Sequence, residues 1–329
     1  MDYYALCITI FSIVSATQPD LRGPLMISST LPERNAWLMR SATYASVIVA
    51  CVLIIIKSIA YLLTDSVALL STLIDSLVDA ATSLINLLAV RHALTPPDPE
   101  HRFGHGKAES LAGLAQAAFI TGSALFLAFE AGHRLLVPRP LENTSIGIIV
   151  LLISIVLTIA LVHYQRYVVR KTGSVAISAD SLHYRGDVLL NLSVVLSLAL
   201  SAWFNMKYMD PLFAIGITGY ILSSAWVIAL QALDHLMDRE LPDSDRARIR
   251  AIALAHPEVR NMHDLRTRTS GQMTFIQLHL EMAGTMSLLR AHAISDEVEA
   301  AIRRAYPNAE VIIHEDPEGI YERRSALEG

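Results

Sequence analysis

Six stretches of this chain are each long and apolar enough to cross a lipid bilayer, at about residues 37–63, 66–93, 111–136, 144–167, 177–204 and 211–233. Crossing the hydrocarbon core takes about 20 apolar residues in a helix. The core offers no water to an unpaired amide, so such a stretch has to be a helix with its backbone hydrogen bonds closed internally. Composition agrees. Charged residues make up 17% of the chain and hydrophobic ones 53%, with a mean hydropathy of +0.43, where soluble domains carry about 25% charge. The reading is a membrane α-helical bundle of six transmembrane helices.

Charge is segregated along the chain. Residues 36–237 hold the apolar runs and form a membrane domain, while residues 238–320 are dense in Asp, Glu, Arg and His. This second segment shows a different rhythm: a helix at 244–255 with Asp243 as its N-cap, strands at 263–269 and 273–282, a helix at 288–306 and a strand at 309–314. The order α-β-β-α-β predicts a small α+β domain, an open sheet with helices on one face. Residues 1–35 form an N-terminal extension without an assigned role, broken by Pro19 and Gly23, and Met26 is an alternative start. Residues 321–329 read as a tail. Cys7 and Cys51 are too far apart for a CxxC site or a disulfide framework. With a net charge of −5 and no basic run, nucleic acid is excluded as a partner.

Short loops set orientation through their Lys and Arg residues. Arg91, Arg102, Lys107, Arg166, Arg170 and Lys171 fall on one side, and only Arg134, Arg139 and Lys207 on the other. The richer side is cytoplasmic by this rule, which places both termini in the cytoplasm.

Against that apolar background four ionisable residues stand out. Asp75 and Asp79 share the second span, and His183 and Asp187 the fifth. Four residues on an α-helix is about 400° of rotation, so each pair lies on one face. An ionised group at bilayer depth costs about 3 kcal/mol on insertion scales and points to function. Three carboxylates and one imidazole on two facing helices make a four-ligand cage for a divalent metal. Histidine titrates near neutral pH, and metal binding requires it neutral, so metal occupancy is linked to proton release. A salt-bridge account with Lys57 or Arg185 leaves too many acids unmatched, and Arg185 lies about 200° around the helix from His183.

Two further clusters lie outside the spans. Asp98, His101 and His105 in the loop after the second span can close on one metal, with Gly104 and Gly106 letting the backbone bend. In the soluble segment His263, His279, His292, His314 and Asp316 sit at strand ends, in a strand and on a helix. His314 and Asp316 share one side of an extended segment. His92, His133, His163 and His235 fall at span ends, where histidine has no special role.

Taken together, DSLVD in span two, HxxxD in span five, the FGHGKAE loop, and HDLRTR, FIQLHLEM and IIHEDP in the soluble segment resemble the cation diffusion facilitator family over about residues 36–320. Within it, the likeness is greatest to bacterial ferrous-iron and zinc efflux pumps. The resemblance implies a homodimeric metal/proton antiporter in the inner membrane, not an enzyme, with a metallochaperone-like cytoplasmic domain. It implies a transport site at Asp75, Asp79, His183 and Asp187, a second site at Asp98, His101 and His105, and a binuclear zinc site from His263, His279, His292, His314 and Asp316. It also implies that Lys107 and Asp238 interlock the protomers near the membrane face. A mixed carboxylate-histidine quartet goes with Zn²⁺ and Cd²⁺ in that family, and Fe²⁺ accepts the same ligands. Arg185 and Gly186, between the span-five ligands, are a departure, since relatives are less basic there. Two rival functions share part of the pattern. An intramembrane hydrolase would use Asp79 and Asp187 as an acid pair and need neither His183 nor Asp75. A membrane-tethered metal sensor would bind zinc at the tail and leave the buried acids without a role.

Overall fold

The computed structural model describes residues 32–64, 67–136, 145–204 and 209–319. Most of the N-terminal extension, the tail, Arg139 and Lys207 lie outside the described residues. Long helices come first: α1 (Pro32–Thr64), α2 (Val67–Ala93), α3 (Lys107–Leu136), α4 (Ser145–Thr172), α5 (Val175–Phe204) and α6 (Met209–Leu236). Pro32 opens α1 at a position where a missing N–H costs nothing. Five of these helices, α1 to α4 and α6, are long and apolar enough to cross a membrane by length and composition. The remaining one, α5, has 30 residues but carries Asp180, His183, Arg185 and Asp187 in its first half. In the bundle α3 packs most extensively on α6 and α1 on α2, while α5 touches α3, α4 and α6.

The start of α5 is fixed with care. Gly173, at φ +66°, ends α4 in the left-handed region that glycine enters without strain. Ser174 follows as an N-cap, its Oγ accepting from the Ile177 N–H at 3.2 Å. Glu109 on α3 accepts from the Ser174 side chain and from the Val175 and Ala176 N–H groups. A buried carboxylate thus meets the positive end of the α5 dipole. The helix that carries two of the expected ligands is pinned at its first turn.

The soluble part follows as α7 (Asp243–Leu254), β1 (Asn261–Ser270), β2 (Met273–Met282), α8 (Leu288–Ala305) and β3 (Ala309–Pro317), the α-β-β-α-β order the sequence predicts. Its sheet has the order β1-β2-β3, antiparallel between β1 and β2 and parallel between β2 and β3. One detail differs: the N-cap of α7 is Pro242, with no side-chain cap, so Asp243 is already helical. Alternation sorts the β2 residues. Ile276, Leu278, Leu280 and Met282 are buried in a core shared with Ile249, Ile294, Val298 and Ile302 of the helices. Gln277, His279 and Glu281 therefore point to the other face.

The two parts meet at the β1–β2 turn. A Cβ on Gly106 would lie 2.3 Å from the Ser270 carbonyl oxygen, so only glycine allows this approach. Beside it, Gln272 donates from Nε2 to the Thr172 carbonyl at 2.8 Å and accepts from Asn35 Nδ2 at 3.1 Å. One turn of the soluble domain thereby touches α1, α4 and the loop before α3.

Candidate metal centres

Helix α2 faces α5 across the first centre. His183 Nε2 lies 2.9 Å from Asp79 Oδ1 and 3.9 Å from Asp187 Oδ2. One ligand atom from each of Asp79, His183 and Asp187 falls within 4.8 Å of the others. Asp187 Oδ2 is buried and receives no hydrogen bond among the described residues. A buried carboxylate oxygen without a donor is costly, and a cation is the simplest partner for it. Phe119 packs edge-on to the imidazole at 6.2 Å.

Asp75, expected as the fourth ligand, is exposed and lies outside this cluster. Helical side chains tilt toward the helix N-terminus, and Asp75 sits one turn nearer that end of α2 than Asp79. The spacing puts the two acids on one face, yet only Asp79 is level with His183. Lys57 is engaged elsewhere: its Nζ donates to the Thr72 carbonyl at 3.0 Å and to Ser76 Oγ at 2.7 Å.

Below His183 lies a group absent from the expected ligand set. Asp180 is 1% exposed and accepts from Ser46 Oγ at 2.6 Å, Gln165 Nε2 at 2.7 Å and Gln116 Nε2 at 3.2 Å. These donors come from α1, α4 and α3, so one carboxylate ties α5 to three neighbours. Asp180 is an acid inside an apolar helix and meets the criterion that singles out Asp79 and Asp187. Spacing hides it: position 180 falls three residues before His183 and has no other carboxylate or histidine four away.

In the loop, Asp98, His101 and His105 each offer a ligand atom within 4.8 Å of the others. His101 Nδ1 is 3.2 Å from Asp98 Oδ1, and His105 Nε2 is 3.2 Å from Asp98 Oδ2. Hydrogen bonds from the His101 and Glu100 N–H groups hold the Asp98 carboxyl below its ordinary range. Such a carboxylate stays ionised and available to a cation. The His92 ring stands 4.5 Å from that of His105, so this span-end histidine belongs to the neighbourhood of the loop centre.

The third centre is built by strand register. His263 pairs with His279 across β1 and β2, and His279 pairs with His314 across β2 and β3. Residues directly opposite share a face, so three imidazoles form one row across the sheet. Asp316, two residues beyond His314, shares that face. Its Oδ2 lies 2.9 Å from His279 Nδ1 and 3.1 Å from His263 Nε2, and its Oδ1 lies 3.2 Å from His314 Nε2. The buried Asp316 Oδ1 and His263 Nδ1 make ion-pair contacts, with His314 and Glu281, but no well-aligned hydrogen bond among the described residues. Three imidazoles and a carboxylate converging on one face of the sheet suit Zn²⁺, which favours nitrogen and oxygen donors. Glu281, 3.0 Å from His263 Nδ1, and Asp264, 3.9 Å from His279 Nε2, extend the acidic side. Asp264 owes its position to a bulge between His263 and Arg266, where its φ is +52°.

His292 does not join that row. It sits on α8, 3.7 Å from Asp296 and 4.0 Å from Glu315. Because α8 packs on the apolar face of the sheet, His292 is on the opposite side from His279 and His314. Lys107 and Asp238 do meet, but within one chain, at 3.0 Å. Arg268 adds a second cation 3.4 Å from Asp238, stacked over the Phe103 and Phe275 rings.

Comparison with known proteins adds the following. The model of the cation efflux transmembrane domain matches residues 43–237, and that of the cation efflux protein cytoplasmic domain matches residues 241–318. The cation-efflux pump FieF of Klebsiella pneumoniae is 50% identical over 283 residues, covering 86% of this chain and 94% of the relative. FieF of Yersinia pestis (strain Pestoides F) is 51% identical over 286 residues, 87% of this chain and 95% of its own. Among solved structures, the metal-bound C-terminal domain of the CzcD transporter from Thermotoga maritima is 30% identical, with a TM-score of 0.23. It covers 24% of this chain and 93% of that one.

Proposed function

Because this chain belongs to the cation efflux family, the cation diffusion facilitators, we propose that it exports Zn²⁺ in exchange for protons as an inner-membrane homodimer. It is a cation efflux transporter; the ion, the coupling and the assembly are the proposal. Cd²⁺ and Fe²⁺ accept the same ligands and are the alternative cargoes. Six spans with both termini in the cytoplasm put the loop and soluble centres on the side from which metal is taken.

The observation that carries this reading is the convergence of Asp79, His183 and Asp187 around a bare buried carboxylate oxygen. Metal binds while the carboxylates are ionised and the imidazole is neutral. On the more acidic side, protonation of His183 competes with the metal for the same nitrogen. Asp75, one turn away on α2, completes a four-ligand shell when α2 and α5 shift relative to each other, as alternating access requires. Asp98, His101 and His105 collect the cargo at the cytoplasmic face. Lys107 and Asp238 brace the junction that the partner protomer packs against.

His263, His279, His314 and Asp316 would hold Zn²⁺ in the soluble domain. Bound there, the ion would offset the Asp316 charge and tie together the strands that carry these ligands. His292, on the other face beside Asp296 and Glu315, would serve a second protomer.

Reconstituted flux across a proton gradient, comparing Zn²⁺, Cd²⁺, Fe²⁺ and Mn²⁺, tests the proposal. Asp187→Ala should reduce metal-dependent proton flux to the liposome background with folding intact. Undiminished flux would sink the transport site, and peptide cleavage without flux would favour a hydrolase using Asp79 and Asp187. Zinc binding by the soluble domain with no flux in the wild type would leave a sensor.

A further inference from the structure

Asp98, His101 and His105 offer a cation three ligands. Zn²⁺ favours four, and a three-ligand set leaves the last position to water. A further donor stands beside them. His92 lies in the last turn of α2, and its ring is 4.5 Å from that of His105. The His101 ring, on an expected ligand, is 4.6 Å from the same neighbour.

His92 is both available and held in place. Its side chain is exposed, and among the described residues its ring nitrogens have no hydrogen-bond partner. Its carbonyl, by contrast, accepts from the Thr95 N–H at 3.0 Å and from Thr95 Oγ1 at 2.6 Å. Thr95 Oγ1 also lies 3.0 Å from His105 Nδ1. One residue thus ties the backbone of His92 to the ring of His105 and holds the end of α2 against the loop. The last carbonyls of α2 carry the negative end of its dipole, which favours a cation at this end. The His92 nitrogens are not among the atoms that already lie within 4.8 Å of one another. Exposed side chains change rotamer within nanoseconds, and a change of χ1 and χ2 at His92 would bring one of them in.

We propose that His92 is a fourth ligand of the loop centre, closing on a cation that Asp98, His101 and His105 have collected. The proposal rests on reading those three residues as a metal centre. A third imidazole in place of water shifts the preference of the set from oxygen-seeking ions such as Mn²⁺ toward Zn²⁺. Retention and selection of the cation would then begin at the end of α2, before the transport site is reached.

Full-length protein carrying Asp187→Ala and His279→Ala, to weaken the other two centres, would be titrated by calorimetry with Zn²⁺ and with Mn²⁺. Adding His92→Ala should weaken Zn²⁺ binding at least about tenfold, the loss that even an outer partner of a ligand produces, and Mn²⁺ binding less. His92→Phe keeps a ring against His105 and offers no nitrogen, so it should show the same loss. Zn²⁺ affinity retained in His92→Phe overturns the proposal, because the ring then acts by packing alone. His101→Ala separates the proposal from its premise. If it abolishes binding while both His92 variants bind as their parent does, the centre stands with three ligands and His92 is not one of them. If His101→Ala also leaves binding unchanged, the loop centre itself fails and takes the proposal with it. Co²⁺ in place of Zn²⁺ reads the ligand shell directly. Its visible spectrum should shift in His92→Phe, where water replaces the imidazole, and identical spectra overturn the assignment.

Discussion

Thr95 fixes the position of a proton. Its hydroxyl has one hydrogen, donated to the His92 carbonyl at 2.6 Å, yet Oγ1 also lies 3.0 Å from His105 Nδ1. The imidazole must therefore supply the proton of that second bond, which leaves the lone pair on Nε2, the nitrogen facing Asp98. Outer partners of this kind set ligand basicity. Thr95→Val should weaken Zn²⁺ binding at the loop centre about tenfold, measured by calorimetry on the full-length protein. Asp180 is the other residue whose worth lies in its partners. Asp180→Asn would set an amide N–H₂ against donors from Ser46, Gln116 and Gln165. Stranded buried donors cost about 1–3 kcal/mol, so thermal unfolding in detergent should shift down while a surface variant such as Asp243→Asn leaves it unchanged. Neither Thr95 nor Asp180 was legible in the sequence as a partner. Asp180 acts through residues 15 to 134 positions away, brought near by tertiary packing, and Thr95 through the fold of the loop that returns His105 to the end of α2.

Elements were more legible, because each announces itself by period. Apolar runs fixed the long helices, and the alternation in FIQLHLEM named β2 and the face that carries His279. That same alternation explains why His263, His279 and His314 line up once register is known. Register itself was not written in the sequence, nor was the bulge that turns Asp264 toward His279. His292 shows the limit of reading ligands by residue type: it lies on the helix that covers the wrong face. The loop glycines divide likewise. Gly106 reads in the sequence as a residue that lets the loop backbone bend, but it is a contact surface for the turn at Ser270 and Gly271. Gly106→Ala must push that turn away, at a cost of about 1–3 kcal/mol for an overpacked contact. Hydrogen exchange at the turn residues around 270–272 should rise, and unchanged protection would show that the loop yields instead.

Across the whole molecule, the bundle and the soluble domain are joined by few groups, and Asp238 is central among them. Burial pushes its carboxyl upward, but the hydrogen bond from Lys107 and the charges of Lys107 and Arg268 outweigh that and hold it below the ordinary 3.8. A carboxylate depressed in the folded state contributes stability above its unfolded pKa and loses it as pH falls through the folded one. The junction should therefore be insensitive to pH from 8 down to about 5 and loosen only below about 4, near the unperturbed aspartate pKa. Asp238→Asn should abolish that acid step, read as proteolysis between α6 and α7. The other attachment, at the β1–β2 turn, bears on biogenesis. Asn35 waits for Gln272, which follows it by 237 residues, and the carbonyl of Thr172 waits 100 residues for the same side chain. Contacts so distant in sequence close late. The helices must therefore enter the bilayer and find one another while one end of the bundle is still unfinished, and synthesis of the β1–β2 turn, rather than insertion of the last helix, is what allows that end to close.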